Sequence, residues 1–162
     1  MKQNENIDDL IWYHTVDLGG GVFTKGIYDH RPYLDRYGIP ADLRGQTVLD
    51  VGAASGFFSF EFERRGAAVT ATDLPRWMDH DFAPNYESDL APAAAEHYLR
   101  DPFLYAKARR QSSVVRKEIN IYDLSPETVG TFDLVFCGSV LLHLTDPVRA
   151  LWRLRSVTKK GG

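Results

Sequence analysis

The sequence has 162 residues, of which 44% are apolar and 25% are charged. These values are typical of one domain with one hydrophobic core, and they argue against a disordered chain. No run approaches the roughly 18 consecutive apolar residues of a membrane span, and residues 1–9 are polar and acidic, unlike a secretory signal. The net charge of −3 argues against a protein whose main work is to grip phosphate backbones.

The cysteine content narrows the class of site further. Cys137 is the single cysteine, which excludes an internal disulfide framework and a multi-cysteine metal site. It lies in the apolar run 132–137, where a small buried side chain is expected rather than a reactive thiol. A cytoplasmic location is the natural expectation. We expect no metal site, because His30, His80 and His97 lack the spacing of metal ligands.

The predicted elements fall into a lead-in, residues 1–46, and a sheet domain, residues 47–162. A short helix is predicted in the lead-in near its end, with Pro32 in its first turn and Gly38 as its stop. The elements predicted in the domain are a strand at 47–51, a helix at 56–65, strands at 68–72, 113–119 and 131–137, and a helix from Asp146 to about Lys159. This order predicts a Rossmann-like, doubly wound α/β sheet.

An irregular insert, residues 76–112, separates the second and third predicted strands. It begins with acidic residues and continues with two helical segments, the second of which starts at Asp101 and Pro102. One interpretation is a pair of helices packed on the edge of the sheet. The other is a lid or substrate-recognition element, because long insertions near a ligand site often serve as one.

A glycine-rich loop follows the first predicted strand and feeds a helix. Asp50 ends the strand, and Gly52 and Gly56 allow a tight turn that a ligand can approach closely. A dinucleotide-binding loop anchored at Gly52 would need glycine at position 54 and prefers a small residue at 57, whereas Ala54 and Phe57 stand there. An acid in this position instead suits an ammonium group, such as the one at the amino-acid end of S-adenosylmethionine.

Three further positions lie at the predicted carboxyl edge of the sheet. Asp73 ends the second strand, where an acid can bind both ribose hydroxyls or simply form a turn. Asp123 can accept a hydrogen bond from the adenine amine, or can cap the helix begun at Ser125. Gly138 follows the fourth strand. The complete predicted cofactor-binding set is Asp50, Gly52, Ala53, Gly56, Asp73, Leu74, Asp123 and Gly138.

These motifs together resemble the class I S-adenosylmethionine-dependent methyltransferases. The residues that carry the resemblance are the run 48–52, Gly56, Asp73, the run 132–136, the run 141–144 and the Asp146–Pro147 pair. The resemblance implies S-adenosylmethionine as the cofactor, with the lead-in helix lying over its site. It implies methyl transfer to a small molecule or a nucleobase.

The residues of the lead-in resemble a more specific group within this family. The segment 12–18, with Gly21, Thr24, the pair 28–29 and the pair 31–32, is similar to proteins grouped with the tRNA wobble-uridine (5-methoxyuridine or carboxymethoxyuridine) methyltransferases. That similarity makes tRNA an alternative partner to a small-molecule substrate. The basic residues available to touch RNA are Lys107, Arg109, Arg110, Arg116 and Lys117, a run that is also typical of a solvated helix end.

Two histidines are the candidate general bases for methyl transfer. His143 follows the fourth strand, near the expected cofactor, and His14 lies in the lead-in. Each also has an ordinary structural interpretation. Trp12 and Tyr13 are expected either to close over the ligands or to pack in the core.

The resemblance also implies a sheet truncated before its fifth strand, because Gly162 comes where that strand should begin. A fragment, a domain completed by another chain and an interrupted gene all fit this expectation. An exposed fourth strand would favour a homo-oligomer. The alternative function is therefore a non-catalytic module that binds cofactor or a partner chain.

Overall fold

The computed structural model describes residues 7–82 and 87–162. Its centre is a parallel sheet of four strands within these residues: β1 (Thr47–Val51), β2 (Ala68–Asp73), β3 (Val115–Glu118) and β4 (Leu134–Cys137). The spatial order is β3-β2-β1-β4. The chain therefore builds outward from β1 on one side and then crosses to place β4 on the other. This is the doubly wound α/β sheet predicted from the sequence, and the prediction is confirmed.

The strand β1 is central because it is apolar toward both faces of the sheet. Val48 packs into the hydrophobic cluster on one face, and Leu49 and Val51 pack into the cluster on the other. Side chains alternate between the two faces along a strand, so a continuous run of buried residues needs cover on both sides. In register, Asp50 lies between Ala71 of β2 and Phe136 of β4.

Helices supply the cover on both faces. The described helices are α1 (Phe57–Arg64), α2 (Pro92–His97), α3 (Asp101–Arg110), α4 (Pro126–Val129) and α5 (Pro147–Ser156). Short 3-10 helices occupy Ile7–Asp9, Arg31–Tyr37, Trp77–Asp79, Ile121–Asp123 and Leu141–His143. The predicted lead-in helix thus forms, as a 3-10 helix ending at Gly38. No helix in the described ranges is long and apolar enough to cross a membrane.

Local sequence signals set several helix ends. The Asp146 side chain accepts a hydrogen bond from the backbone N–H of Arg149 at 2.9 Å, which caps α5 just before Pro147. Ser125 caps α4 by accepting from the Thr128 N–H. Asp123 was predicted as an alternative cap for this helix, and that prediction is wrong because Ser125 does the capping.

The two parts of the insert lie in different surroundings. Its second helix, α3, packs into the core, with Phe103 and Ala106 fully buried in the same cluster as α1. Its first part, from Trp77 to Phe82, instead borders the cavity described below. The segment 83–86 of the insert and residues 1–6 of the lead-in lie outside the described residues.

Three of the basic residues considered for RNA binding are engaged within the fold. The Arg110 guanidinium donates to the backbone carbonyl of Asp17. Arg116 is almost buried and pairs with Glu118, at 2.9 Å between its Nη1 and the carboxylate. The Lys117 ammonium donates to the carbonyl of Thr128. These three cations have partners within the chain, so they do not form one free basic face.

The segment after α5 returns to the amino end of β4. Phe132 donates to the Val157 carbonyl at 2.9 Å, and Lys159 donates to the Phe132 carbonyl at 2.9 Å, which makes a parallel bridge between Phe132 and Thr158. Phe132 was predicted inside the fourth strand. That strand instead begins at Leu134, because the preceding residues pair with this returning segment.

Candidate functional site

The candidate site is a cavity of about 400 Å³ at the carboxyl ends of β1, β2 and β4. It lies where the chain reverses direction across the sheet, between β1 and β4. Open α/β sheets bind ligands at this point because neighbouring connections leave in opposite directions there and open a crevice. The lead-in and the start of the insert form the remaining walls.

The loop after β1 forms the floor of the cavity. Gly52 has a φ of 78° and donates its N–H to the Thr72 carbonyl at 2.9 Å, which ties the loop to β2. A Cβ at this position would collide with the Val140 side chain. Ala54 has a φ of 45° and donates its N–H to the Asp73 carboxylate at 2.6 Å. The loop is therefore held in a strained conformation by partners on its neighbours.

Asp50 is a buried acid at the edge of the cavity, with 2% of its surface exposed. The Ser59 hydroxyl donates to its carboxylate at 2.5 Å. Burial raises the pKa of Asp50 to about 7, with a smaller contribution from the charge of Asp73, whereas the Ser59 hydrogen bond acts in the opposite direction. A carboxylate that is costly to ionise alone becomes a favourable partner for a cationic ligand group.

Asp73 ends β2 and also lines the cavity. Its two oxygens accept the backbone N–H groups of Ala54 and Leu74, at 2.6 and 2.8 Å. Burial raises its pKa, and these hydrogen bonds act against the rise. Each carboxylate oxygen can accept more than one hydrogen bond, so Asp73 keeps the capacity to accept hydroxyl groups of a ligand.

The lead-in is fastened to the glycine loop through Ser55. The Ser55 hydroxyl accepts the backbone N–H of Tyr13 at 3.0 Å and that of His14 at 3.4 Å. The Thr24 hydroxyl in turn donates to the His14 carbonyl and accepts the Val16 N–H. These contacts place the lead-in against the cavity. Its expected position above a bound cofactor stays a prediction.

Aromatic side chains form a large part of the cavity lining. Tyr13, Tyr28, His30, Tyr37, Phe58 and Phe136 all line the cavity. The Phe58 ring packs on Phe136 with centroids 4.6 Å apart, and Tyr37 packs edge-on against Phe58 at 5.0 Å. We call this cluster, contributed by the lead-in, α1 and β4, the aromatic end of the cavity, and we call the strand-end acids Asp50 and Asp73 its acidic end.

The structure gathers most of the predicted site residues around this cavity. Those that line it are His14, Asp50, Gly52, Asp73, Leu74, Gly138 and His143. Ala53 and Gly56 are buried members of the loop itself and help to set its shape. Trp12, considered as a possible lid, is buried in the core, where its indole N–H donates to the Ile7 carbonyl.

Asp123 lies at the end of the 3-10 helix Ile121–Asp123, where it is exposed and outside the cavity lining, so its contact with adenine stays a prediction. Asn120 and Ile121 line the cavity in its place. His30, Tyr37 and Trp77 also line it, and sequence reasoning missed them. His30 and Tyr37 flank the lead-in helix, but only the fold shows that this helix faces the loop after β1.

The two predicted bases have different surroundings. His14 is 5% exposed, and its Nδ1 has no hydrogen-bond partner among the described residues. Burial lowers the pKa of His14 to about 3, with a smaller effect from His30. His143 is exposed on its 3-10 helix, and burial lowers its pKa, helped by His80. The role of either histidine as general base stays a prediction.

Residues 49–162 match the protein family described as "Methyltransferase domain". The chain belongs to this family. The family prediction made from the glycine loop and the strand ends is thereby confirmed. Among the described residues of this methyltransferase domain, no group of three or more His, Cys, Asp or Glu side chains is placed to hold a metal ion.

Curated relatives extend the comparison. The chain is 31% identical over 121 residues to a tRNA U34 carboxymethyltransferase of Campylobacter hominis, covering 75% of this chain and 35% of the relative. It is 34% identical over 129 residues to a ubiquinone biosynthesis O-methyltransferase of Xanthomonas oryzae, covering 80% of this chain and 45% of the relative. The chain thus spans less than half the length of these relatives.

Solved structures show the same fold. The N-terminal domain of EvdMO1, crystallised in the presence of SAH and D-fucose, superposes with a TM-score of 0.63. It is 19% identical and covers 91% of this chain and 55% of that chain. At this identity the likeness shows the fold of the methyltransferase domain alone.

Proposed function

We propose that this methyltransferase domain binds S-adenosylmethionine in the cavity and transfers its methyl group to a small molecule held at the aromatic end. The observation that carries the proposal is one cavity lined both by the strand-end acids Asp50 and Asp73 and by the aromatic cluster. The cofactor, when bound, supplies an electrophilic methyl group. The protein's part is to align that group with the acceptor and to remove a proton.

The residues at the acidic end fit the cofactor group by group. Asp50 is a buried acid without a cationic partner among the described residues, so it suits the ammonium of the amino-acid end. Asp73 keeps acceptor capacity for the ribose hydroxyls. Leu74 and Ile121 offer apolar surface for the adenine ring, and the Asn120 side chain adds a polar edge.

A small acceptor is favoured over tRNA by the charges of the chain. The net charge is −3, and Arg110, Arg116 and Lys117 are engaged within the fold. Binding to a phosphate backbone needs free cations arranged on one face. The Xanthomonas relative, named as an O-methyltransferase of ubiquinone biosynthesis, makes an oxygen acceptor the first choice to test.

Calorimetric titration with S-adenosylhomocysteine tests the proposal. We expect affinity to rise as the pH rises through about 7, because a bound ammonium stabilises the Asp50 carboxylate and lowers its pKa in the complex. Asp50→Asn should weaken binding about tenfold at pH 8 and flatten this pH dependence. The matched control is Asp42→Asn, an exposed acid paired with Arg44 away from the cavity. A folded chain that binds no S-adenosylhomocysteine would refute the proposal.

A second candidate function is a module that associates with another chain. The observation in its favour is an exposed apolar stripe on α5, formed by Val148, Leu151 and Trp152. Such a stripe is typical of a protein contact surface. Sedimentation velocity, which reports the average mass of the chain in solution, tests this association.

A further inference from the structure

The aromatic end of the cavity contains a polar pair that neither the family match nor the sequence analysis assigns. The Nδ1 atom of His30 and the hydroxyl of Tyr37 are 2.8 Å apart, at the two ends of the 3-10 helix Arg31–Tyr37. Both side chains line the cavity. A hydrogen bond to one ring nitrogen fixes the orientation of an imidazole and leaves the other nitrogen for chemistry.

The His30 ring is held by packing as well as by Tyr37. Its centroid lies 5.1 Å from that of Phe58 and 5.7 Å from that of Phe57, the rings at the start of α1. The ring is half-buried, and its Nε2 makes no hydrogen bond among the described residues. The His30 ring is therefore held in place, its Nε2 makes no hydrogen bond among the described residues, and the side chain lines the cavity.

The two histidines predicted from the sequence lack this combination. His14 is so deeply buried that its imidazole is a very weak base, with a pKa of about 3. His143 is exposed, and no hydrogen bond fixes its ring among the described residues. His30 keeps partial access to solvent; burial lowers its pKa only in part, because Asp29 acts in the opposite direction.

We propose that His30, positioned by Tyr37, accepts the proton from a hydroxyl on a planar aromatic acceptor held at the aromatic end of the cavity. This inference rests on the proposed methyl transfer and names its acceptor class and its base. The aromatic wall favours a flat, largely apolar ring, since offset and edge-on ring packing is favourable there. A hydroxyl on such a ring is more acidic than an aliphatic one, so an imidazole beside it can take the proton as the oxygen attacks the methyl carbon.

The step balances in atoms and electrons. In the tautomer with hydrogen on Nδ1, this nitrogen donates to the Tyr37 oxygen and Nε2 takes the acceptor's hydroxyl proton. The acceptor oxygen forms a bond to the methyl carbon as the carbon–sulfur bond breaks. The electron pair of that bond stays on sulfur, and the imidazolium later returns its proton to solvent.

The test uses 4-nitrophenol without cofactor, because its visible absorbance reports ionisation of the hydroxyl. We expect the bound phenol to ionise about one pH unit lower than the free phenol, a tenfold shift in its equilibrium, because His30 holds the proton. His30→Gln should abolish this shift. Tyr37→Phe keeps the packing on Phe58 but removes the hydrogen bond, so it should reduce the shift without weakening binding of the neutral ring.

The control variant is His97→Gln, an exposed histidine on α2 outside the cavity lining. The other titratable groups near His30 are His14, Asp29, Tyr28 and Tyr37, so wild-type and variant pH profiles are compared over one range. His30→Gln should leave S-adenosylhomocysteine binding unchanged and lower methyl transfer about 10²- to 10⁴-fold.

Three contrary results would each overturn a different part of the proposal. An unchanged ionisation shift in folded His30→Gln would exclude His30 as the proton acceptor. A wild-type chain that binds S-adenosylhomocysteine but not 4-nitrophenol would exclude the aromatic acceptor. Loss of S-adenosylhomocysteine binding by the wild type would refute the proposed function instead, and the phenol spectra, recorded without cofactor, would still decide the role of His30.

Discussion

At the scale of single residues, the cavity contains two ionisable side chains whose pKa values move in opposite directions for the same cause. Burial disfavours the charged form, so it raises the pKa of the Asp50 acid to about 7 and lowers that of the His14 base to about 3. His14 is therefore neutral near pH 7, whereas Asp50 is an acid whose ionised form becomes favourable when a cationic ligand group binds beside it.

The first residue-scale prediction concerns His14 and acid stability. Its pKa is about 3 in the folded chain and 6.5 in the unfolded chain, so its contribution to stability is complete above pH 6.5 and is lost as the pH falls toward 3. We expect His14→Phe to weaken this loss by up to about 1.4 kcal/mol for each pH unit between 6 and 4. Urea unfolding across this range measures it, with His97→Gln as the control.

Comparison of His14→Phe with the control shows whether His14 causes the loss of stability at acid pH. The His97→Gln variant should follow the wild-type pH profile of stability, since the His97 side chain is about half accessible to solvent. If His14→Phe loses stability with falling pH as steeply as the wild type, then His14 is not kept neutral in the folded chain.

At the scale of elements, the turn into α1 depends on backbone conformations and not only on side chains. Gly56 precedes α1 with a φ of 91°, a conformation that residues with a Cβ rarely adopt. The rings of Phe60 and Phe103 close over it, so α1 and α3 meet at this glycine. Gly56 thus has a packing role between α1 and α3, in addition to its predicted contact with a cofactor.

The element-scale prediction concerns a Cβ added at position 56, and it separates the cost of backbone strain from the cost of steric crowding. A Cβ at position 56 would lie 2.6 Å from the Phe60 ring and 2.9 Å from the Phe103 ring. Because both rings are buried and cannot move freely, Gly56→Ala should destabilise the fold by about 2–4 kcal/mol in urea unfolding. Gly38→Ala is the matched control, with a φ of 64° but nothing within 4 Å of the added atom.

The control should cost only about 1–2 kcal/mol, the usual penalty for a left-handed backbone in a residue with a Cβ. Equal losses for the two variants would show that the rings adjust around the added methyl group. In that case the contact between α1 and α3 at Gly56 does not limit substitution.

At the scale of the whole molecule, the helix α5 has a buried and an exposed apolar surface. Ala150 and Leu154 pack into the hydrophobic cluster that contains Leu49. Val148, Leu151 and Trp152 are instead 58%, 50% and 73% exposed. Leu151 and Trp152 lie three and four residues after Val148 along the helix, so the three positions share one face. The sequence predicts association through the fourth strand, and this apolar stripe is a second exposed surface available to association.

The whole-molecule prediction is self-association that depends on this stripe. We expect the chain to show a rising average mass with concentration in sedimentation velocity, because the stripe is buried when two copies meet. The double change Leu151→Glu and Trp152→Glu should shift the population to monomer. Ile27→Glu is the control, since Ile27 is 64% exposed but lies in the lead-in. A wild-type chain that stays monomeric at all concentrations would contradict this prediction.

Much of the fold was predictable because its signals are local. Buried β-rich runs gave the strands near 47–51 and 68–73, and glycine, proline and aspartate marked the helix ends. The acids at the ends of these strands followed from the same pattern, because parallel strands bring their carboxyl ends to one edge. The 3-10 helix Ile121–Asp123 was not predicted, and Asp123 at its end lies outside the cavity lining.

The sequence by itself determined the doubly wound sheet, the glycine loop and the methyltransferase family, since each depends on residues close together in the chain. Only the tertiary structure decided which side chains face the cavity. The packing of the lead-in on the loop through Ser55 brings His30 and Tyr37 to the site, and burial sets the pKa values of Asp50 and His14. These are consequences of contacts between distant segments, which no local pattern encodes.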